Sequence, residues 1–319
     1  MIYLSKVTQH YKKVSIVHYL SSRFTYKSEK DWTEIVVKGC VSVNQKRCSL
    51  EAIVTQGDEV KCDLPDLAIP PEVNIDYKII FEDENLLGVN KPSGLLVHDK
   101  RKFSQANLIF HLRRIHIPQY PTASPINRLD KNTSGVILLG LHPEMLKKMS
   151  ALFSENLVEK EYLAVVFGVP KYSEGVIEDP IGKVESLAGV IRYGVDLSKG
   201  KSASTHYEVI RTDGEKFSLL RLRPKTGRTH QLRVHCEGMG HAIVGDQLYN
   251  LSDDAYLAYR DRGEGLRDPL IDRQALHCSS TTFTHPITGK PCSIKAPPPK
   301  DFQTLITNLG LNEPLETNL

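Results

Sequence analysis

Apolar residues recur at helical spacing twice near the N-terminus. Val14, Val17 and Leu20 predict one helix, and Trp32, Ile35 and Val36 predict a second that ends near Gly39. The pattern then changes to period two. Cys40-Val41-Ser42-Val43-Asn44 alternates like a strand, with a turn at Asn44-Gln45 and basic Lys46-Arg47 just after it. Thr55 to Val60 reads as a turn entering another short strand. Residues 64–76 hold Pro65, Pro70 and Pro71 with little periodicity, and read as a linker. Strand-like runs Tyr77–Phe81 and Leu86–Asn90 follow, on either side of the acidic turn Glu82–Asn85. Lys91-Pro92-Ser93-Gly94 then turns the chain into Leu95–His98. The run Val136–Leu139 predicts a buried strand. Met145, Leu146, Met149, Leu152 and Phe153 stripe one face of an amphipathic helix, a core stripe to which no function is assigned. Further strands are predicted at Glu161–Phe167, His206–Ile210, Phe217–Arg223, Leu276–Phe283 and Cys292–Lys295. Between them, residues 170–202 read as irregular. Thr229 is placed to cap a short helix running to about Glu237, and residues 250–274 read as a polar surface excursion. Strands and helices mix without a regular βαβ rhythm. That predicts an α+β fold with a central mixed, largely antiparallel sheet.

Composition leaves this picture intact. The chain has 319 residues, 40% hydrophobic and 25% charged, which is enough apolar material for a core. Net charge is +3, and its distribution matters more than its size. Residues 1–65 carry ten Lys/Arg against seven Asp/Glu, and the remainder balances at 31 against 31. The basic excess therefore lies in the N-terminal part, the better candidate for meeting a polyanion. The six cysteines form no C-x-x-C pair and are expected to be reduced thiols. No apolar run nears 18 residues and the N-terminus has no signal-like core, so a cytoplasmic protein without a membrane partner is expected.

Candidate chemistry falls in three places: Asp130 with Arg128, on a loop entering the strand at Val136; Tyr162, on an otherwise apolar strand; and the basic run Lys225, Arg228, His230, Arg233 and His235. Taken singly, each has an ordinary structural reading. Asp130 could pair with Arg128 or Lys131 in a solvated turn, and Tyr162 could be a core tyrosine with its hydroxyl satisfied at the edge. His230 and His235 are five apart, poor spacing for two metal ligands on one helix face. G-x-x-x-x-G-K-[ST], G-x-G-x-x-G and G-x-S-x-G are absent, which removes the usual support for nucleotide cofactors and α/β-hydrolase chemistry.

Together the pieces form a pattern. Asn127-Arg128-Leu129-Asp130-Lys131-Asn132-Thr133-Ser134-Gly135 resembles the H-R-L-D-x-x-T-S-G element of RluA-type pseudouridine synthases. Lys91-Pro92-Ser93-Gly94-Leu95-Leu96-Val97-His98 is similar to their K-P-x-G-x-x-V-H element, and Lys160-Glu161-Tyr162-Leu163-Ala164 to K-x-Y-x-A. The run from Pro224 to Val234, then His235, Gly240, Gly245 and Tyr249, is similar to their closing motif. Arg273-Gln274-Ala275-Leu276-His277 with Phe283, His285 and Pro286 resembles the family's last block. The N-terminal module resembles an S4 RNA-binding domain. The resemblance covers nearly the whole chain, and it departs at one position, where Asn127 stands in place of the usual histidine. Asparagine keeps donor and acceptor capacity but does not titrate near neutral pH.

The resemblance implies a pseudouridine synthase fold, with an S4-like domain at 1–63, a linker at 64–76 and a catalytic domain at 77–319. It implies isomerisation of uridine to pseudouridine within RNA, without metal or organic cofactor. Asp130 is then the essential carboxylate, attacking C1′ or taking the 2′ proton. Arg228 is expected to pair with Asp130. Tyr162 would stack on or hydrogen-bond the flipped uracil, Leu232 would supply an apolar wall, and Arg128 would fill the space the base vacates. Lys38, Lys46 and Arg47 are expected to touch RNA. Members with an S4 module point to large-subunit ribosomal RNA as the partner, with transfer RNA second. A non-catalytic RNA-binding or ribosome-assembly factor of the same fold is the alternative from a different class.

Overall fold

A computed structural model of the chain describes residues 2–8, 11, 13–24, 28–63, 74–98, 106–185, 191–249, 252 and 268–312. The predicted linker lies mostly outside the described residues, as does most of the predicted excursion at 250–274. The chain divides into two compact units. One comprises residues 1–72 with 98–110, and the other residues 73–97 with 111–319.

In the first unit the elements run β1 (Ile2–Lys6), β2 (Val14–Ser15), α1 (Ile16–Arg23), α2 (Glu29–Val37), β3 (Val41–Val43), β4 (Lys46–Arg47), β5 (Ile53–Val54) and β6 (Glu59–Asp63). The strands β1, β6, β3 and β4 form a four-stranded antiparallel sheet in that order. Ser15 caps α1, so Val14 falls in β2 opposite Val54 and not in the helix its spacing predicted. Trp32, Tyr19, Leu20 and Ile16 are fully buried in one cluster, which closes the unit with few side chains. Ser28 and Asp31 form a capping box at the start of α2. The turn between β3 and β4 places Asn44 and Gln45 at positive φ, the geometry that matches hairpin twist. Asn44 is tied down by its amide, which donates to Asp58 Oδ1 at 2.8 Å and accepts from the Glu59 amide at 2.9 Å. Lys46 and Arg47 follow on the exposed hairpin, and Arg47 lies against Gly39, next to exposed Lys38.

After β6 the chain continues with β7 (Lys78–Glu82), β8 (Leu86–Lys91), α3 (Leu108–Arg114, whose first three residues belong to the first unit), β9 (Ser124–Pro125), β10 (Ser134–Gly140), α4 (Pro143–Ser154), β11 (Glu159–Phe167) and β12 (Glu174–Ile177). Then follow β13 (Ile181–Glu185), β14 (Ile191–Val195), β15 (Thr205–Thr212), β16 (Phe217–Pro224), α5 (Gln231–Gly238), β17 (Leu276–Thr284), β18 (Pro291–Lys295) and α6 (Lys300–Asn308). Ten strands make one sheet along the path β12-β15-β16-β11-β17-β10-β8-β7, with β18 beside β17 and β9 beside β10. Among the described strands β10 and β17 make its one parallel pairing, and the other pairings are antiparallel. The fold is α+β with a mixed, largely antiparallel sheet. The predicted strands and the helix from Pro143 are all present. Residues 170–202, read from sequence as irregular, instead contain β12 and the β13–β14 hairpin. Glycines at Gly182 and Gly194 masked its alternation: they face each other across the hairpin, where Cβ atoms would strike neighbouring side chains.

The middle of the sheet is dry. All seven residues of β10 are buried, and β8 and β11 are buried along most of their length. At Gly135 φ is 113°, and a Cβ there would collide with the Cys278 carbonyl on β17. Only glycine lets the two strands pair in parallel at that point. Beside it, Ser134 Oγ lies 3.0 Å from His277 Nδ1, while His277 Nε2 lies 3.0 Å from the Ala296 carbonyl. The carbonyl can only accept, so Nε2 carries the proton and Nδ1 accepts from the serine. Burial pushes the His277 pKa down to about 4.

Candidate active site

The loop entering β10 is held from several sides. The Ile126 amide donates to Leu138 O at 2.9 Å, and the Asn127 side chain accepts from the Leu138 amide at 2.8 Å. Asn127 thus pins the loop to β10 by hydrogen bonding alone, which needs no titratable group. The Thr133 amide closes a turn onto Asp130 O, and Gln274 Nε2 donates to Thr133 Oγ1 at 2.9 Å. Fully buried Lys91 sits beneath the loop. Its ammonium donates to the carbonyls of Pro92 (2.8 Å), Leu95 (3.0 Å) and Lys131 (3.1 Å). Burial, with Arg273 nearby, lowers its pKa to about 7. The sequence similarity at Lys91–Gly94 thereby acquires a cause, since Lys91 and the Gly94 amide both hold Lys131 O, one residue from Asp130.

Asp130 lines a cleft of about 350 Å³ with its side chain 31% exposed. Arg233, on the first turn of α5, donates through Nη1 to Asp130 Oδ2 at 3.0 Å. The same guanidinium clamps Asp246 with Nε and Nη2, at 2.6 and 2.9 Å, and lies 4.9 Å from the Tyr249 ring centre. Asp246 is buried and also accepts from the amides of Leu248 and Tyr249. Arg233 therefore serves two carboxylates, one buried and one facing the cleft. Tyr162, Leu232, Arg128 and Arg228 line the same cleft.

The family model for RNA pseudouridylate synthase matches residues 85–238, which span β10, β11 and α5. Ribosomal large subunit pseudouridine synthase D of Zymomonas mobilis is 32% identical over 304 residues, covering 92% of this chain and 93% of that one. Ribosomal large subunit pseudouridine synthase C of Vibrio vulnificus is 34% identical over 292 residues, covering 86% of each. The chain belongs to the RluA family of RNA pseudouridine synthases. Its fold agrees with the solved structure of human RNA Pseudouridylate Synthase Domain Containing 1. That structure matches at a TM-score of 0.55 and 27% identity, covering 72% of this chain and 86% of that one.

In this pseudouridine synthase the partner of Asp130 differs from the expected one. Arg228 does not make the ion pair. It sits on the loop before α5, exposed, with Nε donating to Ser202 O at 2.9 Å and its amide donating to Gln231 Oε1 at 3.0 Å. The reason is the helix start. His230, not Thr229, is the N-cap, at φ 58° and ψ 18°. That left-handed residue turns α5 so that Arg233 faces the cleft floor. Gln231 then fixes the loop from within, accepting from Thr226 Oγ1 and donating to Ser204 O and Thr205 Oγ1.

Tyr162 follows an irregularity in the β11–β17 register at Glu161, the kind of bulge that re-aims a side chain beside a site. Its hydroxyl is hydrogen-bonded to Cys278, and burial raises its pKa well above the ordinary range. What Tyr162 offers the cleft is therefore its ring. Leu232, 7% exposed, adds apolar wall, and Arg128 is exposed at the rim. Phe153, counted as core stripe from sequence, instead lines the cleft, with Lys160 Nζ 5.9 Å above its ring. In the sequence, Arg233 and His230 stand in the basic run and the closing motif without a role of their own, Lys91 and Lys160 open two motifs without one, and Asp246 is not marked at all. The signal for Arg233 was its place three residues after the turn, visible only once the cap is known. Among the described residues no group of three or more His, Cys, Asp or Glu is placed to hold a metal, and no helix is long and apolar enough to cross a membrane.

Proposed function

We propose that this pseudouridine synthase modifies uridine in large-subunit ribosomal RNA, with Asp130 as the catalytic carboxylate. The observation that carries the site assignment is a carboxylate held by Arg233 at 3.0 Å at the floor of a cleft walled by Tyr162 and Leu232. The isomerisation breaks N1–C1′, turns the base and joins C5 to C1′, while the C5 proton is exchanged for one on N1. Asp130 acts at C1′ or on the 2′ proton, and needs a fixed geometry with little water around it. The Tyr162 ring stacks on the uracil, and Leu232 packs against its edge. Arg128 enters the space left by the flipped nucleotide, at an unstacking cost of a few kcal/mol, roughly. Arg228 and Lys160 bind backbone phosphate near the cleft mouth.

Residues 1–63 act as an S4-like RNA-binding module, joined through 64–76 to the catalytic domain at 77–319. Two capped helices followed by a hairpin carrying Lys46 and Arg47 support this reading. The ribosomal target is supported by the names of the two relatives above, and transfer RNA stands second. Reaction on RNA in the cytoplasm follows from the same reading. Purified Asp130→Asn should form no pseudouridine while still binding RNA. Substantial residual turnover in that variant would remove Asp130 from the chemistry. Pseudouridine mapping of ribosomal and transfer RNA, with and without the protein, identifies the target.

A further inference from the structure

His230 is fixed in an unusual way for a residue that lines the cleft. Its backbone is left-handed, a conformation that non-glycine residues keep only where the surroundings hold it. Tyr193 and Tyr249 hold the ring edge-on, with centroids 5.9 and 5.8 Å away at 65° and 88°. Nδ1 lies 3.0 Å from the Tyr249 hydroxyl, and that hydroxyl donates its one proton to the Tyr193 carbonyl at 2.9 Å. The phenol oxygen can therefore only accept from the ring, so Nδ1 carries a proton.

The neutral imidazole then presents a bare lone pair at Nε2. Nε2 lies 3.9 Å from Asp130 Oδ2. Two acceptors thus stand side by side on the cleft wall, and a ligand has to bring the donor between them. A ribose brings one at the right place. A carboxylate oxygen reaching C1′ or the 2′ hydrogen has the 2′-hydroxyl as its nearest donor. We propose that His230 Nε2 accepts a hydrogen bond from the 2′-hydroxyl of the target nucleotide, selecting ribose over deoxyribose and seating the sugar against Asp130. This rests on the assignment of Asp130 as the carboxylate that acts on the sugar.

The charge around the ring agrees. Burial and the Arg233 guanidinium lower the His230 pKa, against the opposing pull of Asp130 and Asp246. Tyr249, whose pKa burial raises, faces it as a phenol, and the Tyr193 ring meets it edge-on. The net direction is downward, which keeps Nε2 an acceptor at neutral pH.

The test is a cycle between protein and substrate. A stem-loop RNA carrying the mapped uridine is made with either a 2′-hydroxyl or a 2′-hydrogen at that one nucleotide. Single-turnover pseudouridine formation is measured with the wild type, His230→Asn and His230→Gln. Asparagine tolerates the left-handed backbone but ends short of the Nε2 position, whereas the glutamine carbonyl reaches close to it. The wild type should prefer the ribose substrate by roughly 10- to 100-fold. In His230→Asn the rate on the ribose substrate should fall by a similar factor, and the preference should collapse to a few-fold. His230→Gln should recover part of both. Losses that multiply, so that His230→Asn keeps the wild-type preference, would overturn the contact, as would a wild type indifferent to the 2′ group. Should His230→Asn fail to fold, an unchanged preference in His230→Gln combined with a large loss of rate would equally overturn it. Failure of the underlying assignment looks different: Asp130→Asn would remain active, whatever the 2′ preference.

Discussion

One guanidinium serves two carboxylates, Asp130 in the cleft and Asp246 buried behind it, and the sharing sets what substitution there should do. Arg233 is rigid because Asp246 takes Nε and Nη2, and this leaves Nη1 aimed at Asp130. A lysine is a point charge and cannot span both partners. Arg233→Lys is expected to lower kcat by about 100-fold, on the order of what a misplacement of 1 Å costs, with a smaller change in KM. Arg228→Met, by contrast, should change KM more than kcat, because the side chain touches Ser202 and not Asp130. Steady-state kinetics on an RNA substrate separates the two. An equal loss of kcat in both variants would return Arg228 to the ion-pair role.

At the scale of elements, the site depends on the parallel contact between β10 and β17 that positions the loop of Asp130. His277 fastens that contact through Ser134 and Ala296 while buried and neutral. Its pKa is about 4 in the folded protein, against about 6.5 in an unfolded chain. Between those values the unfolded state binds more protons, so stability should fall as pH drops from about 6.5 toward 4. Full protonation of the unfolded histidine across that window corresponds to about 3 kcal/mol. Chemical denaturation across this range should show the slope in the wild type and a shallower one in His277→Gln. Parallel slopes in the two proteins would place the acid sensitivity elsewhere.

For the whole molecule, the basic hairpin of the first unit makes a prediction about RNA affinity that is independent of the cleft. Lys38, Lys46 and Arg47 are exposed, and Arg47 lies beside Gly39. If all three meet phosphate, replacing them with alanine should reduce the slope of log K against log salt by about 2 on single-stranded RNA. Turnover at saturating RNA should be little changed. An unaltered slope, measured by filter binding from low to moderate salt, would exclude this surface. Much of the molecule was legible in the chain itself. The run Val136–Leu139, the stripe from Met145 and the strand at Tyr162 announce themselves by period, because each buries a single face or lies wholly in the core. The motif around Asp130 was legible only in company: by itself it reads as a solvated turn, and its resemblance to the RluA-type element, with four further motifs in order along the chain, is what marked Asp130. Tertiary structure decided the remainder. Which of two nearby arginines meets Asp130 depends on the rotation of α5, and that is set by the left-handed cap at His230, which local spacing does not reveal. Lys91 and Asp246, far from Asp130 in sequence, acquire their roles only when the sheet and α5 close around the loop.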